Sequence, residues 1–102
     1  MATTPEGKVK AKVKAVLKKY GAYHFSPATG GFGKSGVPDI IACYCGRFIG
    51  IECKAGDNKP TALQLNNIDD IRRNRGYAMV INETNVDEVE LILSELKAGH
   101  AV

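Results

Sequence analysis

The stretch from Val37 to Lys54 constrains this chain more than any other. It reads VPDIIACY, then CG, then RFIGIECK. Two runs rich in isoleucine and aromatic residues predict strands, Val37–Tyr44 and Arg47–Lys54. A two-residue break at Cys45-Gly46 predicts a tight hairpin, and a tight turn fixes the register of the strands it joins. With that turn, Asp39 falls opposite about Glu52. Side chains alternate along a strand, so Glu52 and Lys54 share one face and Cys53 points to the other.

The rest of the chain supplies what such a hairpin packs against. Thr4 is placed to cap a first helix, with Pro5 at its first position. Val9, Val13, Val16, Leu17 and Tyr20 recur there at helical spacing, and Gly21 ends it. Ala22–Ser26 predicts a short strand. Pro27–Gly36 (PATGGFGKSG) predicts a loop, because so much glycine and proline holds regular structure poorly. Ala55–Pro60 predicts a polar loop. Thr61 caps a second helix running to about Arg75 and ended by Gly76, and Tyr77–Asn82 predicts a fourth strand. Asn85 is expected to cap a third helix, with Glu88 at the capping-box position. Val89, Ile92, Leu93 and Leu96 form that helix's apolar stripe, and Gly99 ends it. The order αβββαβα predicts an α/β fold, a central mixed four-stranded sheet flanked by helices.

Length and composition limit the classes. With 102 residues the chain makes one domain, 1–102. Hydrophobic residues at 44% and charged residues at 25% fit a globular domain and argue against wholesale disorder. No apolar run approaches the roughly 18 residues a membrane span requires. The opening MATTPEGKVK lacks the apolar stretch of a secretory signal, so a cytoplasmic location is expected. Three cysteines without an export signal read as buried free thiols in a reducing compartment. Charge is unevenly spread. Ten Lys/Arg stand against four Asp/Glu through Lys59, and four stand against seven beyond it. A one-sided basic field favours a polyanion such as nucleic acid, though a lysine-rich solvated helix face has the same pattern.

The hairpin carries the chemistry. Asp39, Glu52 and Lys54 converge at one end of the sheet, and two adjacent carboxylates repel unless a cation sits between them. Mg²⁺ takes oxygen ligands, commonly one or two carboxylates with waters and substrate phosphates. The Cys53 backbone carbonyl offers a further oxygen. Lys54 beside such an ion would position an attacking water and stabilise charge developing on phosphorus.

These residues match a known pattern. Asp39 followed by Glu52-x-Lys54 resembles the PD-(D/E)xK nuclease motif. With Glu6 early in the first helix, Ser35-Gly36-Val37-Pro38-Asp39 before the strand, Glu52-Cys53-Lys54, and Gln64 in the next helix, the chain resembles a stand-alone VRR-NUC domain, the virus-type replication-repair nuclease, over about residues 3–97. The resemblance implies a restriction-endonuclease-like core. It implies Mg²⁺, or Mn²⁺ in its place, held by Asp39, Glu52 and the Cys53 carbonyl, with Glu6 reaching the metal directly or through water. Lys54 would orient or deprotonate the nucleophilic water, and Gln64 would help hold Lys54 or that water. The implied activity is hydrolysis of phosphodiester bonds in branched DNA, leaving 5′-phosphate and 3′-hydroxyl ends. Stand-alone members resemble Holliday junction resolvases of DNA repair and recombination, and a homodimer is expected.

Plainer readings stand beside these. Glu6 also suits the positive end of a helix dipole. Thr61-x-x-Gln64 is a capping box. Glu52 and Lys54 also read as a strand-face pair. Gly33-Lys34-Ser35 hints at a phosphate loop, but Ala28 stands where that loop needs glycine and a strand follows. The loop reads better as an element near the site, with Lys34 and Ser35 as candidate DNA contacts beside Lys8 and Lys12 of the first helix. Cys43, Cys45 and Cys53 lack paired zinc-knuckle spacing. His24 reads as structural and His100 as an exposed tail residue. The alternatives to a junction nuclease are a flap or other duplex nuclease, and an inactive DNA-binding module.

Overall fold

The computed structural model describes residues 4–28 and 33–99. The element order is α1 (Pro5–Tyr20), β1 (Tyr23–Phe25), β2 (Ile40–Tyr44), β3 (Arg47–Cys53), α2 (Ala62–Arg73), β4 (Tyr77–Ile81) and α3 (Asp87–Lys97). The four strands form one sheet in the order β1-β2-β3-β4. β1, β2 and β3 pair antiparallel, and β3 pairs with β4 in parallel through α2. This is the mixed four-stranded α/β arrangement the sequence predicts. His100, expected in an exposed tail, lies outside the described residues.

Local chemistry explains the element ends. Thr4 Oγ1 accepts the Gly7 N–H at 2.9 Å, and Gly21 closes α1 in the left-handed region. The hairpin turn has φ 52° at Cys45 and 76° at Gly46, the two positive angles that let a two-residue loop follow the strand twist. Ile40 consequently pairs with Ile51 and Tyr44 with Arg47. Extending that register by one residue sets Asp39 against Glu52, as expected.

Several boundaries differ from the expectation. β2 starts at Ile40 rather than Val37, because the Pro38 nitrogen has no hydrogen to donate to a ladder. β1 is three residues long, and β3 ends at Cys53. The Lys54 N–H still donates to the Ile81 carbonyl. α2 ends at Arg73 rather than Arg75. The left-handed residue is Arg75, φ 70°, while the Gly76 N–H returns to the Ile71 carbonyl at 2.9 Å. Gly76 is needed for space instead, since a Cβ there would stand 2.7 Å from Ile71. Asn85 does not cap α3. Its Oδ1 accepts the Asn82 N–H and its amide donates to the Val80 carbonyl, so the helix starts without a side-chain cap. Asp87, Glu88 and Glu90 in the first turn complement the helix dipole instead.

The sheet has two unlike faces. Val9, Val13 and Leu17 of α1 and Val89, Leu93 and Leu96 of α3 bury one face over Ile40, Ala42, Ile49, Ile51, Cys53 and Ile81. Tyr20 and Tyr44 meet edge to face, 6.1 Å between centroids, at the border of this core. α2 covers part of the other face, burying Ile68. Gly50 permits that approach, because a Cβ there would lie 2.8 Å from Ile71 Cδ1 and 2.9 Å from Pro38 Cγ. β4 is an edge strand, but its Ala78 and Val80 carbonyls accept hydrogen bonds from the Arg72 guanidinium and the Asn85 amide. Side-chain cover of this kind blunts the edge against pairing with another strand.

Candidate metal centre at the end of the hairpin

Asp39 is delivered by a braced loop. Gly36 has φ 76°, and a Cβ there would stand 2.7 Å from Leu63 and 3.0 Å from Asn67, so this position needs glycine twice over. Asn67, buried in α2, donates to the Ser35 carbonyl at 3.2 Å. The Ser35-Gly36 segment is thereby tied to α2, and Pro38 locks into the Gly50–Ile71 contact one residue before Asp39.

At the site each carboxylate has one oxygen engaged by a fixed group. Asp39 Oδ2 accepts the Cys53 N–H at 2.8 Å. Glu52 Oε2 lies 3.5 Å from Lys54 Nζ. Strand alternation puts Glu52 and Lys54 on the α2 side, and both are withdrawn from water, with side chains 2% and 15% exposed. Glu52 Oε1 is buried and has no hydrogen-bond partner. An ionised carboxylate oxygen left bare in the interior is costly, and native proteins rarely leave one. Burial pushes the Glu52 carboxyl up to about 7. The nearby Asp39 carboxylate acts in the same direction, and Lys54 opposes. The site thus holds one buried carboxyl that keeps its proton more tightly than an ordinary glutamate does.

Cys53 faces the apolar core, as expected, and burial first, then the Asp39 charge, push its thiol up to about 12. Its side chain is chemically quiet and its backbone serves the site. The expectation of three buried thiols fails for the other two. Cys43 and Cys45 are exposed, because Cys43 lies on the incompletely covered sheet face and Cys45 is in the turn.

The structure brings together Asp39, Glu52, Lys54 and the Cys53 backbone. Glu6 is half-buried at the same end of the molecule, where its charge reaches the Cys53 thiol. Among the described residues, however, no three His, Cys, Asp or Glu side chains cluster closely enough to enclose an ion. Gln64 forms the capping box in full: its N–H donates to Thr61 Oγ1 and its Oε1 accepts the Thr61 N–H. Its amide oxygen is therefore used at the helix start. Lys8 and Lys12 are exposed one turn apart on α1. Lys34 lines an apolar groove of about 460 Å³ with Phe25, Ile41, Phe48 and Ile71. Pro38 also lines that groove, but Asp39, Glu52 and Lys54 do not.

Two participants escaped the sequence reading. Lys10 Nζ lies 3.5 Å from Asp39 Oδ1, reaching around the end of the sheet from α1. Its four-residue spacing from Glu6 was the available signal. Glu83 accepts the Gly56 N–H with both oxygens, at 2.6 and 3.0 Å, and so fixes the loop that leaves Lys54. Nothing local in the sequence marks that contact, since it joins loops 27 residues apart. No helix among the described residues is long and apolar enough to cross a membrane. No family model matches the chain, and no curated protein matches it.

Proposed function

We propose that the chain is a divalent-metal-dependent endonuclease acting on branched DNA. The observation that carries this reading is the bare, buried Glu52 Oε1 beside Asp39, with Lys54 on the same strand face. The donor set fits a hard cation: two carboxylates and a backbone carbonyl, all oxygen, leaving the remaining positions to water and phosphate. Asp39, Glu52 and the Cys53 carbonyl would hold Mg²⁺ or Mn²⁺, and Glu6, outside the close pair, is assigned a contact through water. Bound there, the ion supplies charge neutralisation at the phosphate and a more acidic water.

The chain's own residues do the remaining work. Lys54, restrained by Glu52 and by its own backbone bond to Ile81, donates to the attacking water and holds it near phosphorus. The water oxygen would form the new bond to phosphorus and give up a proton to solvent, the bond to the 3′ oxygen would break, and that oxygen would take a proton from solvent, leaving a 5′-phosphate and a 3′-hydroxyl. Gln64 is assigned to anchoring α2, which in turn holds Ser35-Gly36 and the Asp39 strand. Lys8 and Lys12 on α1, with Lys34 and Ser35, are assigned to DNA phosphates. Such contacts recognise shape rather than sequence. A homodimer suits a four-way junction, whose resolution takes two symmetric nicks. The two exposed thiols suit a reducing cell interior, where they stay unpaired.

The test is cleavage of a four-way junction, a flap and a plain duplex in Mg²⁺, alongside a solution mass measurement. The reading expects junction cleavage by a dimer, lost in Asp39→Asn and Lys54→Ala. Preferential flap or duplex cleavage would change the substrate. Binding without cleavage in Mg²⁺ and Mn²⁺ would overturn the nuclease reading in favour of a DNA-binding module.

A further inference from the structure

We infer that Lys10 is a resident counter-ion that occupies Asp39 in the metal-free protein and competes with the divalent cation for it. The inference rests on the metal-binding reading above. Its basis is how the four carboxylate oxygens are used. Asp39 Oδ2 is held by the Cys53 N–H, and Glu52 Oε2 faces Lys54. The remaining two are Glu52 Oε1, which has no partner, and Asp39 Oδ1, which faces Lys10 Nζ at 3.5 Å. A cation held by the two carboxylates would draw on their less engaged oxygens, one of which Lys10 already faces.

The two lysines differ in how firmly they are held. Lys54 directly follows β3, two residues after Glu52, with its side chain 15% exposed and its backbone tied to β4. The Lys10 side chain is 36% exposed and comes from α1, across the end of the sheet. An ammonium on a four-carbon stem with a solvated exit leaves at little cost. Charge gives the same assignment. Without metal, the Asp39 and Glu52 carboxyls already face two ammonium groups. Adding two positive charges while Lys10 stays would place like charges at one carboxylate oxygen, so binding expels Lys10 and leaves Lys54 in place.

A positioning role predicts the opposite sign, which makes the inference testable without any activity assay. Mn²⁺ binding is measured by calorimetry and by the loss of the free-ion paramagnetic resonance signal. The proteins are wild type, Lys10→Met, Lys10→Gln, Lys10→Arg and the control Lys18→Met. Lys18 is exposed on another part of α1, so its removal changes net charge alone. Removing an ion pair with this exposure should tighten Mn²⁺ binding about two- to tenfold in Lys10→Met and Lys10→Gln. Lys10→Arg and Lys18→Met should stay near wild type, and added Mn²⁺ should raise the melting temperature of Lys10→Met more than that of wild type. Wild type that binds no Mn²⁺ would sink the metal-binding reading itself. Wild type that binds Mn²⁺ while Lys10→Met and Lys10→Gln bind it equally or more weakly would overturn the counter-ion role alone. Equal tightening in Lys18→Met would also overturn it, by assigning the effect to net charge.

Discussion

From Ile49 to Cys53 both faces of β3 are closed to water, yet they are built from opposite chemistry. Toward α1 and α3 it sends Ile49, Ile51 and Cys53 into a dry apolar core. Toward α2 it sends Gly50 and Glu52, with Lys54 just past its end, and Glu52 is as buried as the isoleucines. Neighbours in sequence therefore respond differently to the same desolvation. Cys53 is pushed up to about 12 and becomes inert, whereas Glu52 is pushed up to about 7 and becomes poised to exchange a proton or accept a cation. One face stabilises the fold. The other holds a buried, half-satisfied ionic cluster, an arrangement that contributes little net stability and marks candidate functional sites.

Substitutions on the two faces should separate these roles, and the largest effect is expected on the charged one. Lys54→Ala should lower junction cleavage about 10²- to 10⁴-fold, the range for removing a group that positions or stabilises a reacting centre. Because Glu52 then loses its charge partner, the variant should also lose about 1–3 kcal/mol of stability, so cleavage is compared under conditions where both proteins are folded. On the apolar face, Ile51→Ala should cost about 2–5 kcal/mol of stability, read from denaturant unfolding, because the cavity lies where no solvent can fill it. A smaller loss, about 1–3 kcal/mol, is expected for Gly50→Ala, whose new methyl would press on Ile71 and Pro38. That variant should also lose cleavage, since Pro38 carries Asp39.

Glu52 gives the comparison a pH signature. Its carboxyl is raised from an ordinary value near 4.5 to about 7, so the folded chain keeps a proton the unfolded chain has released. The stability this protonation confers is complete below about pH 4.5, falls as pH rises toward 7, and is absent above. Metal-free Glu52→Gln should therefore melt progressively higher relative to wild type across that window and hold its advantage at pH 8. Mg²⁺ should raise the wild-type melting temperature at pH 8 and leave the variant nearly unmoved. The smallest effect is expected from Lys8→Ala with Lys12→Ala. DNA binding should weaken, and the slope of log affinity against log salt should shrink by about 1–2 if both touch phosphates. An unchanged slope would turn that face of α1 away from the substrate.

How much of this was legible depends on the range of the interaction. The hairpin was readable because Cys45-Gly46 fixes the turn and a turn fixes register, so the pairing of Asp39 with Glu52 follows from local rules. The Thr4 and Thr61 caps were readable for the same reason. Asn85 was misread because its side chain found two backbone partners in its own turn, which outcompeted the helix start. Gly76 was read as a conformational stop, whereas Arg75 takes the positive φ and Gly76 is small because Ile71 is close. The cysteines were misread because burial was assigned by residue type, while the uncovered part of the sheet is set by where α2 lands. Lys10 was invisible for a tertiary reason: its partner, Asp39, immediately precedes β2, and only the packing of α1 against the end of the sheet brings them together.

The most direct test of the central claim is anomalous diffraction from crystals soaked in Mn²⁺, recorded at the manganese absorption edge. The account predicts a peak between the Asp39 and Glu52 carboxylates, within coordination distance of the Cys53 carbonyl, with Lys10 turned out to solvent and Lys54 in place. An occupied lattice elsewhere but no peak at this pair, with Glu52 Oε1 still bare, would contradict it.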